Sequence, residues 1–437
     1  MKQSSWLVET VLKVGAAVVL FVACPASLRG FQADKPAVAH QPSAMPDRVI
    51  LNWTEDASTG FSVTWRTSTE IEKGIGEIVL ADDGKDFPKK ARKVEAATTE
   101  YKTNLGTAHT HSVTFTGLTP ATGYLYRVGD GKNWSEWSQI RTASGKNEPL
   151  TFLYFGDAQV GILSHWSRVV RKAYSMAPNA KFMVYAGDLI NKFNLDEEWG
   201  EWHWGAGWIN KVVPSVPAPG NHEYGKLTPT SERAITVNWR NQFTLPENGV
   251  AGEEEKNYYT DIEGLRMVVL NSNTKQKEQA EWLDKLLTDN PKSWTVIAFH
   301  HPFYSTAKNR DNKELREVWQ PVFDKHKVDL VLQGHDHAYG RSGLMAAQGV
   351  PSNKAGTVYV VSVSGAKQYD FVSKTEFQRK AQQTQLFQII RIDGDRLTYE
   401  SRAAGGDLYD AFELTKQKGK PNRLENRIPK TPERVKK

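Results

Sequence analysis

The sequence predicts an α+β, multidomain fold: an all-β sandwich, then a larger domain of layered sheets flanked by helices. Three observations point there. Short runs of strand type recur at sandwich-like spacing over residues 48–143. Beyond residue 150, strand-like runs alternate with segments of helical period. Five short polar motifs punctuate this second part, and four of them follow an apolar run, at 151–155, 182–186, 294–299 and 328–333. At 437 residues the chain is long enough for both domains.

Taken in order, residues 1–30 read as an export signal. Lys2 gives a positive start, and Lys13 precedes an apolar run, Val14 to Cys24, too short to span a bilayer comfortably. Cys24, the single cysteine, ends that run in Phe21-Val22-Ala23-Cys24. This fits a lipoprotein processing site with a membrane tether through Cys24. It fits equally a cleaved secretory signal with an incidental cysteine, and an uncleaved anchor helix is the third reading. All three place the protein outside the cytoplasm: periplasmic, extracellular or tethered. With one cysteine the chain has no internal disulfide, so its stability rests on its core. Residues 31–46, rich in Ala, Pro and Gln without a period, are a linker.

The sandwich is expected over 47–143. Arg48 to Trp53, Gly60 to Trp65, His111 to Leu118 and Gly123 to Gly129 read as strands, the second alternating as a half-buried strand does. Turns such as Asp82-Asp83-Gly84 separate them. His109 and His111 have no partner cluster beside them and read as surface residues. A polar break at 144–149 marks the domain boundary.

The second domain is expected over 150–414. Leu163 to Ala177 has helical spacing and ends at Pro178; Glu278 to Thr288 is a second helix; Lys313 to His326 is a third, which Pro321 kinks or splits. Strands dominate from Thr357 onward. Residues 415–437 form a basic tail, read as a solvated end. From Lys416 to Lys437 it carries nine Lys or Arg against two Glu, much of the chain's +6 excess. The rest is near balance, which gives no reason to expect a nucleic-acid partner.

The five motifs carry the chemistry. They are Gly156-Asp157, Gly187-Asp188, Gly220-Asn221-His222-Glu223, His300-His301-Pro302 and Gly334-His335-Asp336-His337. Ligands gather beyond the carboxyl ends of strands in α/β sheets, so residues far apart in sequence can converge there. Carboxylate, amide and imidazole are donors suited to hard divalent or trivalent ions. Each motif alone has a structural reading as a turn or strand end; five in this order do not.

That order, GD…GD…GNH…H-x-P…GHxH, resembles the calcineurin-like metallophosphoesterases. The closer likeness is to the purple acid phosphatases. Gly334-His335-Asp336-His337-Ala338-Tyr339-Gly340-Arg341-Ser342 is similar to their final motif, and a fibronectin type III-like N-terminal sandwich matches in position. The resemblance covers roughly residues 46–414. It implies a four-layer α/β/β/α catalytic domain and a dinuclear metal centre that hydrolyses phosphate esters. By the same resemblance, Asp188 bridges the two metals, Asp157 and His337 complete one ion's ligands, and Asn221, His300 and His335 hold the other. A water acidified by the two ions would attack phosphorus. His222 and His301 would bind phosphate oxygens or protonate the leaving alkoxide, with simple packing as the alternative for His301.

One position departs from the family. Three residues after the bridging aspartate, where a tyrosine gives the purple enzymes their colour, this chain has Asn191. Gln159 stands where other superfamily members carry a histidine. The expectation is two divalent ions, Mn, Zn or Fe, rather than an Fe(III)–tyrosinate centre. The expected activity is that of a phosphomonoesterase. Its alternatives are a phosphodiesterase acting on nucleotides or lipid head groups, and a surface-binding protein with a dead site. Trp199, Trp202, Trp204, Trp208 and the loop from Lys226 to Asn257 are either the rim of the pocket or packing.

Overall fold

The computed structural model describes residues 39–347, 356–371 and 376–435. The predicted signal, Cys24 and most of the predicted linker lie outside the described residues.

The first domain is a sandwich of eight strands: β1 (Asp47–Trp53), β2 (Phe61–Thr67), β3 (Ile75–Leu80), β4 (Arg92–Glu95), β5 (Ala97–Thr103), β6 (Gly106–Phe115), β7 (Gly123–Gly129) and β8 (Ser138–Arg141). They form two antiparallel sheets, ordered β1-β2-β6-β5 and β4-β3-β7-β8. Phe61, Val63, Trp65, Val113 and Phe115 fill the space between the sheets with Ile78 and Tyr126. β2 alternates as its sequence indicates, but all seven of its residues are buried. The polar face is covered because it packs on the second domain. Asn52 Nδ2 donates to Ser215 O (2.8 Å), Thr64 Oγ1 meets Thr244 Oγ1 (2.7 Å), and Arg66 Nη1 reaches Asp196 Oδ2 (3.0 Å). His111 is likewise buried rather than on the surface. Its ring stacks on Trp65 and bonds the hydroxyls of Thr67 (2.8 Å) and Thr98 (2.9 Å).

The second domain begins with β9 (Leu150–Phe155), α1 (Ser167–Met176), β10 (Met183–Ala186), α2 (Asp196–Ala206) and β11 (Ser215–Ala218). A small ribbon, β12 (Tyr224–Gly225) with β13 (Ala234–Ile235), and the short α3 (Trp239–Gln242) follow. Then come β14 (Tyr258–Ile262), β15 (Leu265–Val269), α4 (Gln276–Thr288), β16 (Trp294–Phe299), α5 (Lys313–His326), β17 (Leu330–Gln333), β18 (Tyr339–Met345) and β19 (Thr357–Val361). The last strands are β20 (Phe377–Ala381), β21 (Leu386–Asp393), β22 (Arg396–Ala403), β23 (Leu408–Gln417) and β24 (Lys420–Asn426). Two seven-stranded sheets result, β11-β10-β9-β21-β22-β23-β24 and β14-β15-β16-β17-β19-β18-β20.

Alternate residues of the second sheet explain the layering. Met267, Val269, Val296, Ala298, Leu330 and Leu332 join the main core with Leu153, Ile390 and Tyr399 of the first sheet. Their neighbours Val268, Ile297, Phe299 and Val331 face the other way, onto Leu283 and Leu287 of α4 and Trp319 and Phe323 of α5. Helix α1 covers the first sheet through Val169, Val170 and Ala173. The arrangement is the four-layer α/β/β/α order that the resemblance implied. α5 runs unbroken in its assigned span through Pro321.

The C-terminus differs from the sequence reading. β24 pairs antiparallel with β23, so the basic segment extends the first sheet instead of trailing in solvent. Its charges have local partners: Lys416 Nζ bonds Asp329 Oδ1, 2.5 Å away, and Arg427 pairs with Glu425. Beneath it, Arg341 is fully buried and paired in bidentate fashion with Asp410 (2.9 Å each), while its Nη1 bonds Asn426 Oδ1 of β24 (2.8 Å).

Candidate metal centre

All five motifs lie at the C-terminal ends of parallel strands. β9, β10 and β11 run parallel in one sheet, and β15, β16, β17 and β19 in the other. Asp157 follows β9, Asp188 follows β10, Asn221 follows β11, His300 follows β16 and His335 follows β17. The two sheets therefore deliver their motifs to one edge of the interface between them. β11, with a proline in Ser-Val-Pro-Ala, is the strand that apolar patterning did not reveal.

The glycines of two motifs are fixed by this convergence. A Cβ on Gly220 would lie 2.2 Å from Asp188 Oδ1, and one on Gly334 would lie 2.2 Å from Asp157 Oδ1. No side chain can stand there while the carboxylates hold their places. The backbone is also strained: Asp157, Asp188 and His335 have φ of 31°, 52° and 70°, the left-handed region that non-glycine residues avoid.

The predicted residues come together in two groups. Asp157, Asp188 and His337 have ligand atoms within 4.8 Å of one another, and so do His300, His301 and His335. Asp188 lies between them: its Oδ2 is 3.2 Å from His300 Nε2 and 2.6 Å from Gln159 Nε2. His337 Nε2 is 3.4 Å from Asp157 Oδ2 and 3.4 Å from Gln159 Nε2. Asn221 Oδ1 and His335 Nδ1 each lie 3.1 Å from His300 Nε2. His222 stands further off, with Nε2 4.0 Å from Asp188 Oδ2. The structure thus sets His301 among the imidazoles, its ring centroid 4.4 Å from that of His335.

Backbone carbonyls fix which nitrogen each imidazole presents. His300 Nδ1 donates to Ala186 O and His337 Nδ1 to Lys367 O, both at 2.8 Å, which leaves each Nε2 for the cluster. Asp157 accepts the His335 N–H at Oδ1 (2.7 Å), while its Oδ2 is buried and accepts no hydrogen bond among the described residues, His337 Nε2 standing 3.4 Å away.

Several supporting residues escaped the sequence reading. Glu223 is fully buried and accepts N–H bonds from Gly220 (2.7 Å), Asp188 (2.9 Å) and Leu189 (2.8 Å), joining the second and third motifs. It stood inside a quoted motif, yet nothing in the pattern distinguished it from a turn residue. Asp336 does the same for the loop before α5, accepting from Thr306 N (2.7 Å) and Arg310 Nη1 (2.9 Å). Ser272 Oγ holds His301 Nδ1 at 2.8 Å. Asn191 offers its backbone: its N–H reaches Glu198 (2.5 Å) and its O accepts His222 Nδ1 (2.5 Å).

The electrostatics are those of a cation site. Burial opposes charge on the His300 imidazole, but Asp188 and then Asp157 outweigh it and lift its pKa to about 9. Burial and the His300 charge depress His301 to about 3, and burial with Lys367 takes His337 to about 4. Burial also raises Asp157, whereas in Asp188 the charges of His300 and His222 overcome burial and hold it low. The cluster thus crowds neutral imidazoles against two close carboxylates whose shifts run in opposite directions. Buried acceptors this crowded, with Asp157 Oδ2 unsatisfied, fit a pair of bound cations.

Of the four tryptophans read as rim or packing, Trp199 and Trp202 are buried beside Trp166, Tyr185 and Phe243. Trp204 and Trp208 are exposed at 54% and 56%, lining a separate hollow with His40 and Arg48 at the domain junction. The loop after β12 does reach the site: Arg233 lines the cleft beside Asn221 and His301.

This geometry offers carboxylate, amide and imidazole donors in two adjoining groups able to hold cations. Residues 150–339 match the calcineurin-like phosphoesterase family and residues 46–142 match the purple acid phosphatase N-terminal domain. The chain thus carries a purple acid phosphatase N-terminal domain followed by a calcineurin-like phosphoesterase domain. It is 25% identical over 343 residues to an uncharacterized protein of Mycobacterium tuberculosis, covering 67% of this chain and 61% of that one. It is 26% identical over 318 residues to the Fe(3+)-Zn(2+) purple acid phosphatase 12 of Arabidopsis thaliana, covering 68% and 65%. The chain therefore spans a little under two thirds of the length of these relatives. The purple acid phosphatase of yellow lupin seeds shares the fold, with a TM-score of 0.72 at 20% identity, over 85% of this chain and 74% of that one. PhoD does so with a TM-score of 0.65 at 13% identity, over 91% and 94%.

Proposed function

We propose that this protein is an exported phosphomonoesterase. The observation that carries the reading is the convergence of Asp157, Asp188 and His337 beside Asn221, His300 and His335, with Asp188 between the two groups. Asp188 would bridge two ions, with Asp157 and His337 on one and Asn221, His300 and His335 on the other. Two bound ions supply Lewis-acid activation of water and neutralise phosphate charge. The reaction joins water to phosphorus and breaks the bond to the leaving alkoxide, giving an alcohol and inorganic phosphate. This chain's part is to hold the donors and to deliver a proton. His222, whose Nδ1 donates to Asn191 O, would give its proton to the alkoxide from Nε2 of the imidazolium form, and the neutral His301, whose Nδ1 is held by Ser272, keeps Nε2 for a phosphate oxygen.

The ions are divalent in this reading, Mn, Zn or Fe. Asn191 supplies no phenolate, and the neutral Gln159 amide lies between Asp188 and His337. We read residues 47–143 as a fibronectin type III-like support module and 150 onward as the catalytic domain. Residues 1–30 are read as the export signal, with Cys24 as a candidate tether. Among the described residues no helix is long and apolar enough to cross a membrane. The cleft of about 1040 Å³ beside Asn221 and His301 is wide enough to keep a phosphodiesterase as the second reading. Assaying phosphomono- and diesters with added Mn²⁺, Zn²⁺ or Fe²⁺ tests the choice. Hydrolysis of monoesters alone supports the proposal; turnover of diesters alone replaces it; no turnover with any metal rejects both.

A further inference from the structure

The cleft that opens from Asn221 and His301 is far larger than a phosphate needs. Its volume, about 1040 Å³, is that of a pocket for an entire drug-sized ligand. Its walls are mostly polar, with Leu315 and Val318 as the apolar exceptions. An aryl or alkyl leaving group would have Leu315, Val318 and the carbon stems of the longer polar side chains to bury against, with charged ends on every side.

The charges of the cleft are unequal in their pairing. Lys313 is matched by Glu317 at 3.6 Å, and Arg316 satisfies Asp311 at 2.8 Å. Arg233 and Lys277 line the same walls, and among the described residues neither forms an ion pair. Against them stands Glu314, at the start of α5.

Arg233 is also held in place. It directly precedes β13, whose pairing with β12 ties it to the segment that follows the third motif. Its Nη2 donates to Asn221 O (2.8 Å) and Tyr224 O (2.9 Å), so the backbone of the candidate ligand residue anchors one corner of the guanidinium. Carbonyls do not neutralise its charge. A planar fork fixed beside a phosphate site, with Nη1 and Nε free of any carboxylate among the described residues, suits a second phosphate.

We propose that the site takes substrates whose leaving group carries a second phosphate, bound by Arg233 with Lys277 further along the cleft. This inference rests on the phosphomonoesterase reading and names its substrate class. One phosphate would enter the Asp188 centre and the other would lie along the Arg233 wall. The second phosphate, being remote from the bond that breaks, contributes binding that a simple monoester lacks.

The test uses the full chain, loaded with the divalent ion that gives highest activity on p-nitrophenyl phosphate. Fructose 1,6-bisphosphate is compared with fructose 1-phosphate and fructose 6-phosphate. The wild type is expected to favour the bisphosphate at least tenfold in kcat/KM, through a lower KM. Arg233→Met should reduce that preference to below threefold, Arg233→Lys should restore part of it, and Lys277→Met should lower it several-fold with metal content unchanged. A wild-type preference near one overturns the proposal. So does an equal loss on all three substrates in Arg233→Met, which would assign the residue to holding Asn221. Absence of turnover on p-nitrophenyl phosphate itself would reject the underlying hydrolase reading, a result distinct from the loss of preference alone.

Discussion

In the proposed centre, Asp188 is the residue that both halves share. Its Oδ2 faces His300 and Gln159, and its Oδ1 accepts the His222 N–H at 2.8 Å. Asp188→Asn keeps that shape but removes the charge that would hold two cations. We expect most bound metal to be lost and turnover to fall by about 10²–10³-fold or more, with the circular dichroism and melting of the fold retained. Wild-type turnover with metal retained would end the dinuclear reading. Glu223 acts one layer out, through the backbone of Gly220, Asp188 and Leu189. Glu223→Ala should weaken metal binding roughly 10–100-fold, the usual cost of losing a supporting partner, as read by titration of the ion into metal-free protein. Affinity equal to wild type would show that the strand ends hold their shape unaided. Asn191 makes a prediction about colour. Without a phenolate at that position, fully active protein should lack an intense visible charge-transfer band and should contain divalent ions. A purple band with stoichiometric Fe(III) would mean another tyrosine has taken the role.

The elements show which patterns were readable and which were not. β9, β10, β16 and β17 are short apolar runs buried throughout, and the motifs after them stood out because each run ends in a polar cluster. α2 was missed because Asp196–Ala206 buries two tryptophans beside Asp196 and His203, a composition with no amphipathic stripe. β24 was read as a solvated tail because its composition is basic; pairing with β23 satisfies its backbone whatever its side chains are. His111 was misread because a sequence cannot show that β5 and Trp65 cover it. That burial has a measurable consequence. The ring is held neutral, its pKa depressed to about 4 by burial and then by the neighbouring His109. The free imidazole value is near 6.5, so between those values the unfolded chain binds more protons. His111 therefore contributes stability that is complete above about pH 6.5 and is lost as pH falls toward 4. Between pH 7 and pH 5 the loss should be about 1–2 kcal/mol. Urea midpoints of wild type and His111→Gln should converge as pH drops across that window. Parallel curves would mean the ring is already charged or the site already open.

At the scale of the whole molecule, the two domains are joined by a buried ionic knot. Arg48 and Arg66 of the sandwich both pair with Asp196 at the start of α2, at 2.6 and 3.0 Å, and the Asp196 side chain is 1% exposed. Asp47 takes the other edge of the Arg66 guanidinium at 2.6 Å. Around the knot, Asn104 Oδ1 accepts the Asp196 N–H, and Asn52 and Thr64 bond across the same face. This is why the sandwich sheet facing the second domain shows no solvent-exposed side on β2. A sandwich fixed in this way should unfold together with the second domain. Asp196→Ala leaves the Arg48 guanidinium buried without a carboxylate and Arg66 with only Asp47, a defect that costs about 3–5 kcal/mol. We expect calorimetry of the wild type to give one cooperative transition. The variant should show a lowered melting temperature, with the sandwich melting ahead of the second domain. Replacing Asp196 by Glu should recover less than half of the loss, since the longer side chain cannot meet both guanidiniums in the same space. If Asp196→Ala melted within a degree of wild type, water would have to solvate the junction already, and the sandwich would be a loosely tethered module.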